Sequence, residues 1–408
     1  MLHVEAAANR RTSRRRFGVA LAGGGPLGAF YQLGTLHALA ECTEGIDLTR
    51  LDGYVGVSSG AIICACLANG LSTDDMIRAF FVEDVAAEYP LSPGILMYPA
   101  FMEYTRRVAS LPSLVNQVLL EWMRDPLRQS WAEFFTPLLK AIPTGVFDNQ
   151  PFERYLRKLL TSEGRTNDFR KLPCMLRIVA TDLNAGTEVR FGEPGLDDVP
   201  ISEAIRASTA LPGLYIPVTF GGRTYVDGAL LRTVNASLVL DRGADLVISV
   251  NPLVTFDSTR SEAARARDLA NGGLVPVMSQ TFRALIQSRM KVGMARYRTL
   301  YPFADRLLFE PNRHDEAMFF ANVFRYRDRA RLAEHAYQRT RKVLRMHARE
   351  LHDILDRHGI RLRMDRLSDG RTFLTSTAEA HRAENEVIAR LDRTLDRLAL
   401  WIERHNGA

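Results

Sequence analysis

Along the chain, short apolar runs of strand length alternate with longer apolar stretches at helical spacing. "FGVALA" (17–22) predicts a buried strand, and the pattern from Pro26 to Ala40 predicts a buried helix with proline near its first turn. Three glycines, Gly23, Gly24 and Gly25, separate the two. The same order recurs at "GYVGV" (53–57), a short strand, and "SSGAIICACLANG", a helix from about Ser59 that stops at Gly70. Further strands are predicted at 174–183, 187–192, 223–228 and 244–252, with helices between several of them. Strands alternating with helices predict an α/β sheet with helices on both faces.

The texture changes between about Ser72 and Thr144, where prolines mix with Trp122, Trp131, Met97, Met102 and several Phe and Tyr. A helical cap on the sheet is expected there, with a lid that offers an apolar face to lipid chains as the alternative. Beyond Asn251 the chain is mainly helical and charged. From Ala378 to His405 a stripe of Ile388, Leu391, Leu395, Leu398 and Ile402 steps by threes and fours. It is short for an independent coiled coil, so packing back on the body is favoured over an oligomer made through C-terminal helices. The expected boundaries are a basic tail at 1–16, a catalytic domain at 17–255 with the insertion 72–144, and an extension at 256–408.

Composition narrows the picture. An apolar share of 46% in 408 residues fills a sizeable core and excludes a disordered chain. The net charge of +6 is spread among 53 basic and 47 acidic residues, a weak pull toward anionic surfaces, and no nucleic-acid partner is expected. The basic cluster Arg10, Arg11, Arg14, Arg15 and Arg16 reads as a solvated tail, and Arg283, Arg289, Lys291, Arg296 and Arg298 as a solvated helix face, with anionic lipid as the alternative for both. Cys42, Cys64, Cys66 and Cys174 lack metal spacing and read as reduced core residues of a cytoplasmic protein. "SRRRFGVA" imitates a twin-arginine export signal, but Gly23 to Pro26, then Gln32 and His37, argue against export or a membrane span.

Candidate chemistry centres on Gly56-Val57-Ser58-Ser59-Gly60. This G-x-S-x-G pattern stands Ser58 on a sharp turn between strand and helix, where the flanking glycines remove colliding side chains. Ser59, the first helical residue, has a hydroxyl suited to cap or solvate the helix start. A serine nucleophile needs a base and donors for the oxyanion. Backbone amides of Gly23 to Gly25 at a helix start suit the second task. The same loop also spells G-x-G-x-x-G (Gly23, Gly25, Gly28), so a nucleotide phosphate is the rival ligand. Of nine histidines only His314 suits a triad, and it reads as a surface residue. Asp227, in "YVDGALL", ends a strand before a glycine; buried there it would have a raised pKa and act as base, and the rival reading is an ordinary β-turn.

In this order, "GGGPLGAF", "GVSSGA" and "VDGA" resemble the glycine loop, nucleophile elbow and aspartate motif of the patatin-like phospholipase family. "IPTGVFDNQPF", "RIVATDLNAG" and "AIRASTALPGLYIPV" are similar too, and the resemblance covers roughly residues 17–255. It implies a three-layer α/β/α sandwich and a dyad of Ser58 as nucleophile and Asp227 as base, without histidine, metal or cofactor. It also implies an oxyanion hole from Gly23, Gly24, Gly25 and Leu27. The implied activity is acyl-ester hydrolysis of phospholipid or a related lipid, in the cytoplasm or peripherally on the membrane's inner face. Two departures stand out: Leu27 holds the loop position where the family has arginine, and "LLRTVNAS" follows the aspartate motif where an N-x-P stretch is usual. The rivals are an idle lipid-binding relative and an esterase or thioesterase on soluble acyl substrates.

Overall fold

The computed structural model describes residues 1–8, 15–81, 91, 93–124, 136–257, 271, 273–319 and 326–375. In the strand Phe17–Leu21 and the residue after it, neighbours point to opposite cores. Val19 and Leu21 join the apolar cluster on one face, Ala20 and Ala22 the cluster on the other, and all four are fully buried. A strand buried on both faces needs helices above and below, the α/β/α arrangement read from the sequence.

The main sheet holds β1 (Leu2–Glu5), β2 (Phe17–Leu21), β3 (Gly53–Val57), β4 (Met175–Asp182), β5 (Thr187–Phe191), β6 (Val218–Phe220), β7 (Arg223–Asp227), β8 (Leu246–Val250) and β9 (Asp305–Phe309). Its centre is parallel, in the spatial order β9, β8, β2, β3, β4. Antiparallel β1 pairs with β9 at one end, while β5 and the hairpin β6–β7 finish the other.

On one face lie α1 (Gly25–Cys42), α2 (Ser59–Ala68), α3 (Thr73–Phe81), α5 (Gln150–Leu160), α6 (Ile201–Ser208) and α8 (Tyr326–Met346), joined in one core. The opposite face is covered by residues 234–244 and by α7 (Leu274–Leu300), through Leu238, Val239, Ile286 and Tyr297. The insertion contributes α4 (Phe101–Arg124), which runs through Pro112. Trp131 and the stripe from Ala378 to His405 lie outside the described residues.

Two contributions were not visible in the hydrophobic pattern. Leu2–Glu5 forms β1, in register Leu2 to Phe309, so the tail begins as a strand. Beyond residue 255 the chain supplies β9 inside the sheet and α8 over α1. At that crossing a Cβ on Gly34 would sit 2.3 Å from the Ala333 carbonyl oxygen, so glycine sets how closely the two helices approach. Of the five basic residues expected on a solvated face, Arg289, Lys291, Arg296 and Arg298 are exposed, while Arg283 is half-buried and donates to the Val254 carbonyl.

Candidate active site

β3 passes into α2 within one residue, and that residue is Ser58. Its φ of 53° makes it the sole described non-glycine residue in the left-handed region. Strain of this kind costs roughly 1–3 kcal/mol and persists only where the surroundings impose it. Here they do. A Cβ on Gly56 would lie 2.4 Å from Ala61 Cα, and one on Gly60 2.5 Å from the Leu21 carbonyl oxygen. The Ser58 amide donates to Ser208 Oγ at 2.8 Å, and Ser208 Oγ donates to the Val179 carbonyl at 2.5 Å. Ser208 was not singled out from sequence, because its contact with the elbow spans 150 residues. Ser59 opens α2, yet its buried hydroxyl caps nothing and has no partner among the described residues.

Sheet register brings Asp227 to Ser58. β5 occupies one edge of β4 along residues 178–182, which leaves β3 and β7 to share the other. Val57 pairs with Val179 and Asp227 with Ala180, so the two strands end against each other at consecutive positions. The Ser58 side chain lies beside the Asp227 carboxylate and favours its ionised form, and the Ala229 amide donates to Asp227 Oδ1 at 2.8 Å. Burial pushes the Asp227 carboxyl up to about 6, against the lowering effect of Ser58 and the Ala229 amide. Neither contact involves histidine. His314, the one triad candidate, lies in an exposed turn with Nδ1 3.4 Å from the Asp257 carbonyl.

The glycine loop closes over the same point. A Cβ on Gly23 would lie 2.8 Å from Ala229 Cβ and 3.2 Å from Ser58 Cβ, so only glycine admits the loop beside the serine. Gly24 and Gly28 are pressed by Pro252, and Gly25 has φ 61°. Pro26 contributes no donor, and the amides of Gly23, Gly24, Gly25 and Leu27 have no acceptor among the described residues. The Leu27 side chain is buried in the core of the α1 face, so this position brings no charge to the site. The other departure from the family pattern, "LLRTVNAS", is held by Asn235, which donates to Glu188 at 2.9 Å and accepts from Ser237 Oγ at 3.0 Å.

Ser58 opens on an apolar cavity. Its walls come from α1 (Ala29, Phe30), α3 (Phe80), the insertion (Leu91, Leu96), α5 (Phe152) and the stretch after α6 (Leu211, Leu214, Tyr215). Tyr215 is tied to the insertion by its hydroxyl, which donates to the Leu96 carbonyl at 2.7 Å. Behind Phe30 lies the Arg329 guanidinium of α8, 5.7 Å from the ring centroid. Asn149 adds a polar side chain to the wall, beside Ser59 and Thr209: its amide nitrogen donates to the Arg206 carbonyl and Thr209 Oγ1, which fixes its orientation and leaves Oδ1 buried without a donor among the described residues.

Comparisons with known proteins agree with this layout. An uncharacterized NTE family protein of Mycobacterium tuberculosis is 38% identical over 98 residues, 24% of this chain and 24% of that one. A second such protein of the same organism is 28% identical over 249 residues, 60% of this chain and 32% of its own length. The matched region thus spans well under two thirds of these relatives. The solved structure of VipD from Legionella pneumophila superposes with a TM-score of 0.32 at 18% identity, over 66% of this chain and 56% of that one, too low a score to add to the fold described above. The model of the patatin-like phospholipase family matches residues 19–240, more than half of the chain and every residue of the elbow, glycine loop and aspartate turn; the chain belongs to that family.

Proposed function

We propose that the chain is a lipid acyl hydrolase that cleaves carboxylic esters through a covalent acyl-enzyme on Ser58. The observation that carries this reading is the Ser58 side chain beside a buried carboxylate at the mouth of an apolar cavity. A serine hydroxyl alone is a weak nucleophile near neutrality, and Asp227 with its raised pKa is the adjacent base. As Ser58 Oγ attacks the acyl carbonyl, its proton passes to Asp227 and the carbonyl π electrons move onto oxygen. The free amides of Gly23, Gly24, Gly25 and Leu27 are the donors within reach of that oxyanion. Collapse expels the alcohol, which takes the proton from Asp227. Water then gives a proton to Asp227 and attacks the acyl-serine; fatty acid leaves and Ser58 Oγ recovers its hydrogen.

The apolar cavity takes the acyl chain, and Leu27 in place of a cation favours a neutral ester over an anionic phospholipid at the reacting centre. Fatty-acid release from phosphatidylcholine and from p-nitrophenyl esters tests the reading. The expected kcat/KM rises with pH through a single ionisation near 6, the value to which burial carries Asp227. A folded wild-type protein with no turnover of either substrate across that range would overturn it.

A further inference from the structure

Hydrocarbon side chains on α4 face solvent in a number unusual for a folded chain. Phe101, Val108, Leu111, Val115 and Leu119 recur at steps of seven, three, four and four, and they are between 38% and 64% exposed. Met102, Leu120 and Met123 flank this row at 84%, 45% and 64%. At 100° per residue the exposed apolar positions take up about half the helix circumference. Leu114 and Val118, by contrast, are buried. Arg106, Ser113 and Gln117 are exposed together beside this arc, and Thr105 and Asn116 are the exposed polar residues within it among the described side chains.

The face does not end with the helix. Leu139, Ile142 and Val146, at 61%, 61% and 48% exposure, belong to a segment strapped to the first half of α4. Arg107 donates to the Lys140 carbonyl at 2.6 Å, the Ala100 amide to the Val146 carbonyl at 3.1 Å, and Thr144 Oγ1 to Glu103 at 3.1 Å. The same strap leads to the cavity of Ser58. Tyr98, whose ring meets that of Phe101, accepts from the Asp148 amide; Leu96 on one side and Asn149 on the other line the cavity.

Such a face fits a lipid surface better than a protein helix. A partner helix covers a narrow seam of about two positions in seven, whereas a helix lying in a membrane interface immerses an apolar half. Crossing the membrane is not the alternative, since no described helix is long and apolar enough to span one. Charge agrees with anionic headgroups. Glu103 is buried and held by Arg106 and Arg107, while Arg106 and Lys140 reach solvent.

We infer that α4 and the 139–146 strap form a docking surface for an anionic lipid leaflet, lying flat on it with the Ser58 cavity beside the contact. The choice of lipid over a protein partner rests in part on the acyl-ester reading above, so the test separates the two. Flotation of the full-length Ser58→Ala protein with phosphatidylcholine vesicles, with and without phosphatidylglycerol, measures docking without turnover. Binding is expected, tighter with phosphatidylglycerol. The added changes Val108→Asp, Val115→Asp and Leu119→Asp are expected to weaken it by about tenfold or more. The same three changes in the protein with Ser58 intact should leave hydrolysis of a short soluble ester within about twofold, since they lie outside the cavity. Absent vesicle binding, equal binding to both compositions, or binding indifferent to the three changes would overturn the inference. So would a wild-type dimer that the three changes split into monomers, because the face would then belong to a second copy. Vesicle binding with no ester turnover would leave this inference standing and remove the hydrolase reading.

Discussion

α1 and α4 are both long, apolar-rich helices, of 18 and 24 residues, and they do opposite things. α1 is buried from Leu27 to Cys42 almost without interruption, polar side chains included. Gln32 donates to the Ala22 carbonyl at 2.5 Å, and His37 shares a hydrogen bond of 3.1 Å with Thr73 while burial holds its imidazole down to about 4. Among its described side chains, α4 buries only Leu114, Val118 and Glu103. Apolar content alone does not separate a helix that builds the frame from one that meets something outside it. The polar residues do: on α1 Gln32, Thr35 and His37 are enclosed, whereas on α4 Thr105, Arg106, Ser113, Asn116 and Gln117 face solvent.

The contrast predicts where substitutions hurt. The largest effect belongs at the end of β7: Asp227→Asn should lower kcat/KM by roughly 10²–10⁴-fold, while Val108→Ser on α4 should leave turnover of a soluble ester within about twofold. Next in size is Gly34→Val, whose added side chain would collide with the Ala333 carbonyl at the α1–α8 crossing. It should destabilise by about 3 kcal/mol or more in denaturant unfolding. If it proved neutral, α8 would not be fixed on α1 as described.

A third test uses the cost of keeping a carboxyl dry. The folded pKa of Asp227 is raised, so its contribution to stability is full below the unfolded value of about 3.9 and is lost as pH rises through about 6. Asp227→Asn removes that loss. Relative to wild type it should gain on the order of 2 kcal/mol at pH 8 and nothing at pH 4, read from unfolding at both values. Smaller still is Ser208→Ala, which takes away the acceptor of the Ser58 amide and should cost about 1–2 kcal/mol. Val108→Ser closes the series, within about 0.5 kcal/mol of wild type because the side chain is already in water.

The elbow, the glycine loop and the aspartate turn were legible because each is a local pattern whose residue types follow from local geometry. Gly56 and Gly60 are there to let Ser58 turn, and Gly23 to let the loop lie against it. Legibility stopped where partners are distant in sequence. Ser208 reads as one small residue in a helix until its bond to residue 58 is known. "DRLLF" (305–309) shows no strict alternation because β9 is buried along its whole length between β8 and β1. Asn149 escaped notice for the same reason, since its place is in the cavity wall, beside residues distant along the chain.

Labelling with a fluorophosphonate, followed by mass spectrometry of the labelled peptide, tests the central claim most directly. Wild type, Ser58→Ala, Ser59→Ala and Asp227→Asn should be compared at pH 8, above the Asp227 transition near 6. The account predicts label on Ser58 in wild type and in Ser59→Ala, none in Ser58→Ala, and strongly slowed labelling in Asp227→Asn. Folded wild-type protein that takes no label, or label carried by Ser59 alone, would contradict it.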